Sequence, residues 1–145
     1  MSFTRADIVA EARAWIGTPY RHQASRKGIG CDCLGLVRGV WRAVLGEEPQ
    51  IAPAYSRDWA EASGAETLAA AARTHLIEID PAQFSPGDVL LFRYRERYPA
   101  KHAAIVSGPD TMVHAHDGAA VAEVAIAAWW RRRLAYAFRF PGVTD

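Results

Sequence analysis

Apolar residues along this chain follow a helical period in the first half and an alternating, strand-like period in the second. Ile8, Ala12, Trp15 and Ile16 recur at helical spacing, and Thr4 with Asp7 resembles an N-cap with an acid in the first turn. Gly17-Thr18-Pro19 ends that helix, and a basic loop punctuated by glycines fills residues 20–30. A second helix is predicted from Cys33 to Leu45, with Leu36, Val37, Val40, Trp41 and Val44 as its buried stripe and Gly46 as its stop. Residues 47–65 hold Pro49, Pro53, Tyr55 and Trp59 without a period and read as irregular, whereas the alanine-rich stretch 66–76 reads as helix. Phe84-Ser85-Pro86-Gly87-Asp88 is a turn that launches a strand over 89–92. Further strands are predicted at about 102–106, 111–115, 119–124 and 135–140, the last preceded by a polar, Arg-rich segment at 129–133. Helices first and antiparallel strands second define an α+β layout. It is one domain, residues 1–145, with N-terminal helices packed on a sheet of about five strands.

Composition narrows the function classes. With 145 residues, half of them hydrophobic and 23% charged, the chain is long enough to bury a real core. A net charge of +1 offers no general electrostatic case for nucleic acid or a membrane surface. No apolar run is long enough to span a bilayer, and Met-Ser-Phe-Thr-Arg-Ala-Asp lacks the basic-then-apolar pattern of a signal peptide. Synthesis in the cytoplasm is the resulting expectation.

The chemistry concentrates at Gly30-Cys31-Asp32-Cys33-Leu34-Gly35, which contains the only two cysteines. One residue apart, they are poorly placed to bridge each other, and no local set of ligands suits a metal, so neither metal nor cofactor is expected. Cys33 lies at the start of a helix and at the top of its buried stripe. Free N–H groups and the helix dipole there are expected to lower a thiol pKa and favour the nucleophilic thiolate. His102 shares a strand face with Ala104 and Val106, and His114 shares one with His116. A hairpin centred on Gly108 would pair His102 with His114, Cβ atoms roughly 5 Å apart, whereas one centred on Pro109 would pair it with His116. Either arrangement supplies an imidazole to take a thiol proton and a second group to orient it. Asp32 also reads as a helix-start acid, Tyr20 as a packing residue, His22 and His75 as surface residues, and Trp129-Trp130-Arg131-Arg132-Arg133 as aromatic core with a solvated basic rim.

Taken in order, Gly17-Thr18-Pro19-Tyr20, Gly30 to Val37, Pro86-Gly87-Asp88-Val89-Leu90, Lys101-His102-Ala103-Ala104-Ile105 and Val113-His114-Ala115 resemble the NlpC family, cell-wall cysteine peptidases of bacteria and phages with a papain-like fold. More narrowly, the chain resembles the forms encoded beside tail genes of phages and gene transfer agents. The resemblance implies Cys33 as nucleophile, His102 as general base and His114 as the orienting third residue. It implies Tyr20 lining the site near the oxyanion and Asp32 holding the free amino end of a peptide stem. Its substrate would be a peptidoglycan stem peptide, cut after D-γ-glutamate. Its partners would be tail or baseplate proteins, and it would act in the periplasm of a target cell. Two departures stand out: Leu34 where the family usually has serine, and Arg21-His22-Gln23-Ala24 where it often has a glycine pair. The same residues would also suit an amidase or acyltransferase, or a tail module that keeps the fold without catalysis.

Overall fold

Thr4 opens the first helix, α1 (Arg5–Ala14), with a reciprocal cap: its hydroxyl accepts from the Asp7 amide, and the Asp7 carboxylate accepts from the Thr4 amide. The computed structural model describes residues 2–49 and 66–145, so the irregular reading of 50–65, with Tyr55 and Trp59, lies outside the described residues. Helix α2 (Cys33–Leu45) follows, closed by Gly46 at φ 88°, a conformation glycine adopts without steric cost. The alanine-rich helix α3 spans Thr67–His75. Residues 128–131 form a short helix, α4 (Ala128–Arg131), where only a polar segment was expected.

The strands are β1 (Phe3–Thr4), β2 (Ser25–Arg26), β3 (Gly30–Cys31), β4 (Ile77–Ile79), β5 (Val89–Phe92), β6 (His102–Gly108), β7 (Thr111–His114), β8 (Ala122–Ala125), β9 (Leu134–Arg139) and β10 (Val143–Thr144). Six of them make one antiparallel sheet in the order β4-β9-β5-β6-β7-β8. The expected α+β class is therefore borne out. The expected five strands become six because β4, three residues on the sheet edge, is too short to announce itself by alternation. Among the described residues no helix is long and apolar enough to cross a membrane.

Alternation along the central strands builds two cores. Val89, Leu91, Ala103, Ile105 and Val113 face α1 and α2, meeting Ile8, Ala12, Trp15, Leu36 and Val40. Leu90, Phe92, Ala104, Val106 and Met112 face the other way, onto Ile126 and Trp130. Ile16, at helical spacing from Ala12, is 46% exposed, because the helix ends before it and the chain turns at Gly17.

The turn before β5 locks the sheet to the first helix. Asp88 is 1% exposed; one oxygen accepts from Arg5 Nη1 at 2.8 Å and the other from the Ser85 amide at 2.8 Å. Arg5 also donates to the Pro86 carbonyl. Gly87 stands at φ 93° with Arg5 backbone 3.3 Å from where its Cβ would be. The Pro-Gly-Asp element is thus scaffold.

Candidate active site

Asp32 is the N-cap of α2 and sets the geometry around Cys33. One carboxylate oxygen accepts from the Gly35 amide and the other from the Gln23 amide, each at 2.7 Å, and the side chain is buried. One residue therefore caps the helix and ties down the loop at 21–24. His22, expected at the surface, brings Nδ1 within 3.9 Å of the same carboxylate. The loop also comes close to the helix itself: a Cβ on Gly35 would lie 1.9 Å from the Ala24 carbonyl. Gln23 holds φ 66°, the left-handed conformation that a non-glycine residue adopts at a cost. This is the stretch where the resembled family often carries glycines, and here a glutamine takes the left-handed conformation instead.

The two cysteines part company. Cys31 is fully buried in β3; its amide donates to the Pro19 carbonyl and its carbonyl accepts from the Arg21 amide. It is core. Cys33 is half-buried at the first position of α2, and its thiol donates to the Lys101 carbonyl at 3.8 Å. The Ala103 amide also acts on the sulfur, so the thiol lies against the backbone on either side of His102. Both thiols are free. Burial pushes the Cys33 thiol up to about 12, helped by the Asp32 carboxylate; the amides of Ala103, Leu34 and Cys33 pull the other way and do not win. The expected thiolate is therefore corrected: at neutral pH Cys33 rests as a thiol.

His102 and His114 share a hydrogen bond of 2.9 Å between Nε2 and Nδ1. Both are buried, 3% and 6% exposed. Register pairs Ile105 with Val113 and Val106 with Met112, a hairpin centred on Pro109, with an irregularity between Val106 and Gly108. That register carries His116 level with His102, and their rings stand edge to face at 5.5 Å. The hydrogen bond nonetheless runs diagonally to His114, one pleat away on the same face. Burial first, then His114 and His116, holds the His102 imidazolium well below its ordinary range. Burial, then His116, lowers His114 to about 4. With Nε2 engaged by His114, Nδ1 is the nitrogen of His102 left to exchange a proton.

Tyr20 bridges to Cys31 and packs half-buried against the main core. Leu34 packs on the same core, so the side chain that replaces the family's usual serine faces apolar surroundings. Trp130, expected as aromatic core, packs on the second core and also borders the histidines. Its indole stacks on His102 at 5.1 Å and 24°, and Tyr94 stands 5.8 Å from the same imidazole. Nothing in a Trp-Trp pair on a four-residue helix signals which ring turns toward the histidines. Among the described residues no group of three or more His, Cys, Asp or Glu side chains could hold a metal ion.

Helices packed on a six-stranded antiparallel sheet give this chain the fold of solved NlpC/p60 proteins. The NlpC/p60 domain of the peptidoglycan hydrolase SagA matches with a TM-score of 0.69 at 23% identity, over 94% of this chain and 99% of that one. An NlpC/p60 family protein from Bacillus cereus ATCC 10987 matches at 0.69 and 17%, over 97% of this chain and 41% of that one. By sequence, the gamma-DL-glutamyl hydrolase of Bacillus subtilis (strain 168) is 25% identical over 138 residues, 94% of this chain; the chain spans 30% of that protein's length. Residues 10–132 match the family described as a domain of unknown function, DUF6950, and the chain belongs to that family.

Proposed function

We propose that the chain is a cysteine peptidase of the cell wall that cuts peptidoglycan stem peptides at the bond between D-γ-glutamate and a diamino acid. The observation that carries the reading is the hydrogen bond between His102 and His114, with the Cys33 thiol against the backbone beside His102. The NlpC/p60 fold and the likeness to a gamma-DL-glutamyl hydrolase support the substrate class.

In this mechanism the Cys33 proton passes to His102 Nδ1 as the sulfur bonds to the scissile carbonyl carbon, and the carbonyl π electrons move onto oxygen. His102 Nε2–H donates to His114 Nδ1 throughout, which fixes the tautomer and the ring plane. The amide at the start of α2, with Tyr20 lining the site, stabilises the oxyanion. Collapse of the tetrahedral species breaks the C–N bond, and the amine leaves with the proton from His102. Water, deprotonated by the same imidazole, then hydrolyses the thioester. Asp32 holds the 21–24 loop in place and adds negative charge near the position a stem's free amino group would take. A neutral resting pair suits this scheme, since charge develops only once substrate has displaced water from the cleft.

A role in a phage-like tail belongs to the same proposal, with tail or baseplate proteins as partners and the periplasm of a target cell as the place of action. Resemblance of the sequence supports it, and co-sedimentation with purified tail particles tests it. The bond preference is tested on two synthetic stem peptides that differ only in whether glutamate is linked through its γ- or its α-carboxyl. The γ-linked peptide is expected to be cut to a free diamino-acid amine, and equal cutting of both would remove the assignment of the bond.

A further inference from the structure

Trp130 lies on the face of the sheet that carries the histidines, and the mechanism above does not use it. Its indole stacks on the His102 ring at 5.1 Å and 24°, and meets His114 at 5.4 Å and His116 at 5.8 Å, both nearly perpendicular. Phe92 supports it from beneath at 4.9 Å, edge to face. The short helix that carries it is held at several points. Arg131 Nε donates to the Ile126 carbonyl, Arg131 Nη2 to Asp110, and the Arg93 amide to the Arg133 carbonyl. Arg133 also lies 3.7 Å over the Trp129 ring. Arg131 and Arg132 are exposed, as a solvated rim requires, while Arg131 and Arg133 also anchor the segment.

We infer that Trp130 is a positioning residue: its indole covers the His102 imidazole, fixes that ring in the plane that meets His114, and keeps water off the hydrogen bond between them. The inference rests on the proposed reading of Cys33 and His102. A ring that could turn would lose the single orientation set by its bond to His114, and a small error in the placement of a proton acceptor is costly in rate. A flat side chain of comparable size is what the role needs, so phenylalanine should preserve much of it. The groups facing His102 are His114 and His116 from β7 and the residues after it, Tyr94 after β5 and Trp130 from α4; Cys33 at the start of α2, preceded by Asp32, lies against the backbone beside it. Lys101 precedes it in the chain.

Trp130→Leu and Trp130→Phe are compared with the wild type on the γ-linked stem peptide, and the His102 imidazole is titrated by NMR in the absence of substrate. Trp130→Leu is expected to lower kcat about tenfold to a hundredfold with KM little changed. Its His102 titration and the acid limb of its pH profile should move upward, because the ring is opened to water. Trp130→Phe should restore most of both. A folded Trp130→Leu with wild-type kcat and titration overturns the inference, as does a downward movement of the titration. If Trp130→Leu does not fold, Trp130→Phe must still show a smaller upward movement, and its absence counts against the inference. A wild type that leaves the stem peptide uncut fails the proposed function alone, since the NMR titration still judges Trp130.

Discussion

A thiol pushed up to about 12 and an imidazole held low leave Cys33 and His102 neutral at rest, whatever the helix dipole contributes. Cys33 should therefore alkylate with iodoacetamide more slowly at pH 7 than a free cysteine does, with the rate climbing above pH 9; a rate already at its plateau at neutral pH would contradict the neutral pair. His114 carries a second consequence. Its folded pKa, about 4, lies below the ordinary histidine value, so between about pH 6.5 and 4 the unfolded chain takes up a proton that the folded one refuses. Stability should be full above that window and fall as the pH drops through it. Melting temperatures from pH 7.5 to 4 should show that slope in the wild type and a shallower one in His114→Gln. At this scale the sequence offered candidates and not their state. Position singled out Cys33 and His102, and resemblance rather than spacing preferred His114 to His116. Their protonation depends on burial, which no spacing reveals.

Helix α2 and the loop at 21–24 form one unit, joined by the Asp32 cap and by the contact of Ala24 with Gly35. Gly35→Ala must displace that loop, because the new methyl would lie 1.9 Å from a backbone oxygen. It is expected to cost activity far out of proportion to any loss of helix, measured as kcat/KM beside circular dichroism. Gln23→Gly should do the reverse for stability. It relieves the left-handed strain but adds freedom to the unfolded chain, for a net gain of about 0.5 kcal/mol by thermal unfolding. The helices themselves were readable from period and caps, down to the reciprocal Thr4–Asp7 cap. The hairpin of β6 and β7 was readable too, but not its register. Its centre at Pro109 and the irregularity after Val106 decide which histidine stands opposite His102, and the diagonal bond to His114 depends on side-chain reach as well as register.

At the scale of the whole molecule, one buried ion pair fastens the helical layer to the strand that neighbours β6. Replacing Asp88 by Ala leaves Arg5 and the Ser85 amide without their acceptor, and is expected to cost about 2–3 kcal/mol in denaturant unfolding while leaving the histidine pair in place. The two-layer plan could be read from helices followed by strands, and the sixth strand could not, because three residues at an edge carry too little pattern. Nor could the packing of α4 across the second face of the sheet, where Trp130 meets the histidines far from them in sequence. The proposed reaction turns on Cys33 as the nucleophile of a wall hydrolase. Purified peptidoglycan digested with wild type, Cys33→Ala and Cys31→Ala, with the released fragments identified by mass spectrometry, tests it most directly. Wild type and Cys31→Ala should release fragments ending in free D-glutamate and new diamino-acid amines, and Cys33→Ala none. Equal release by Cys33→Ala, or loss of release only in a well-folded Cys31→Ala, would contradict it.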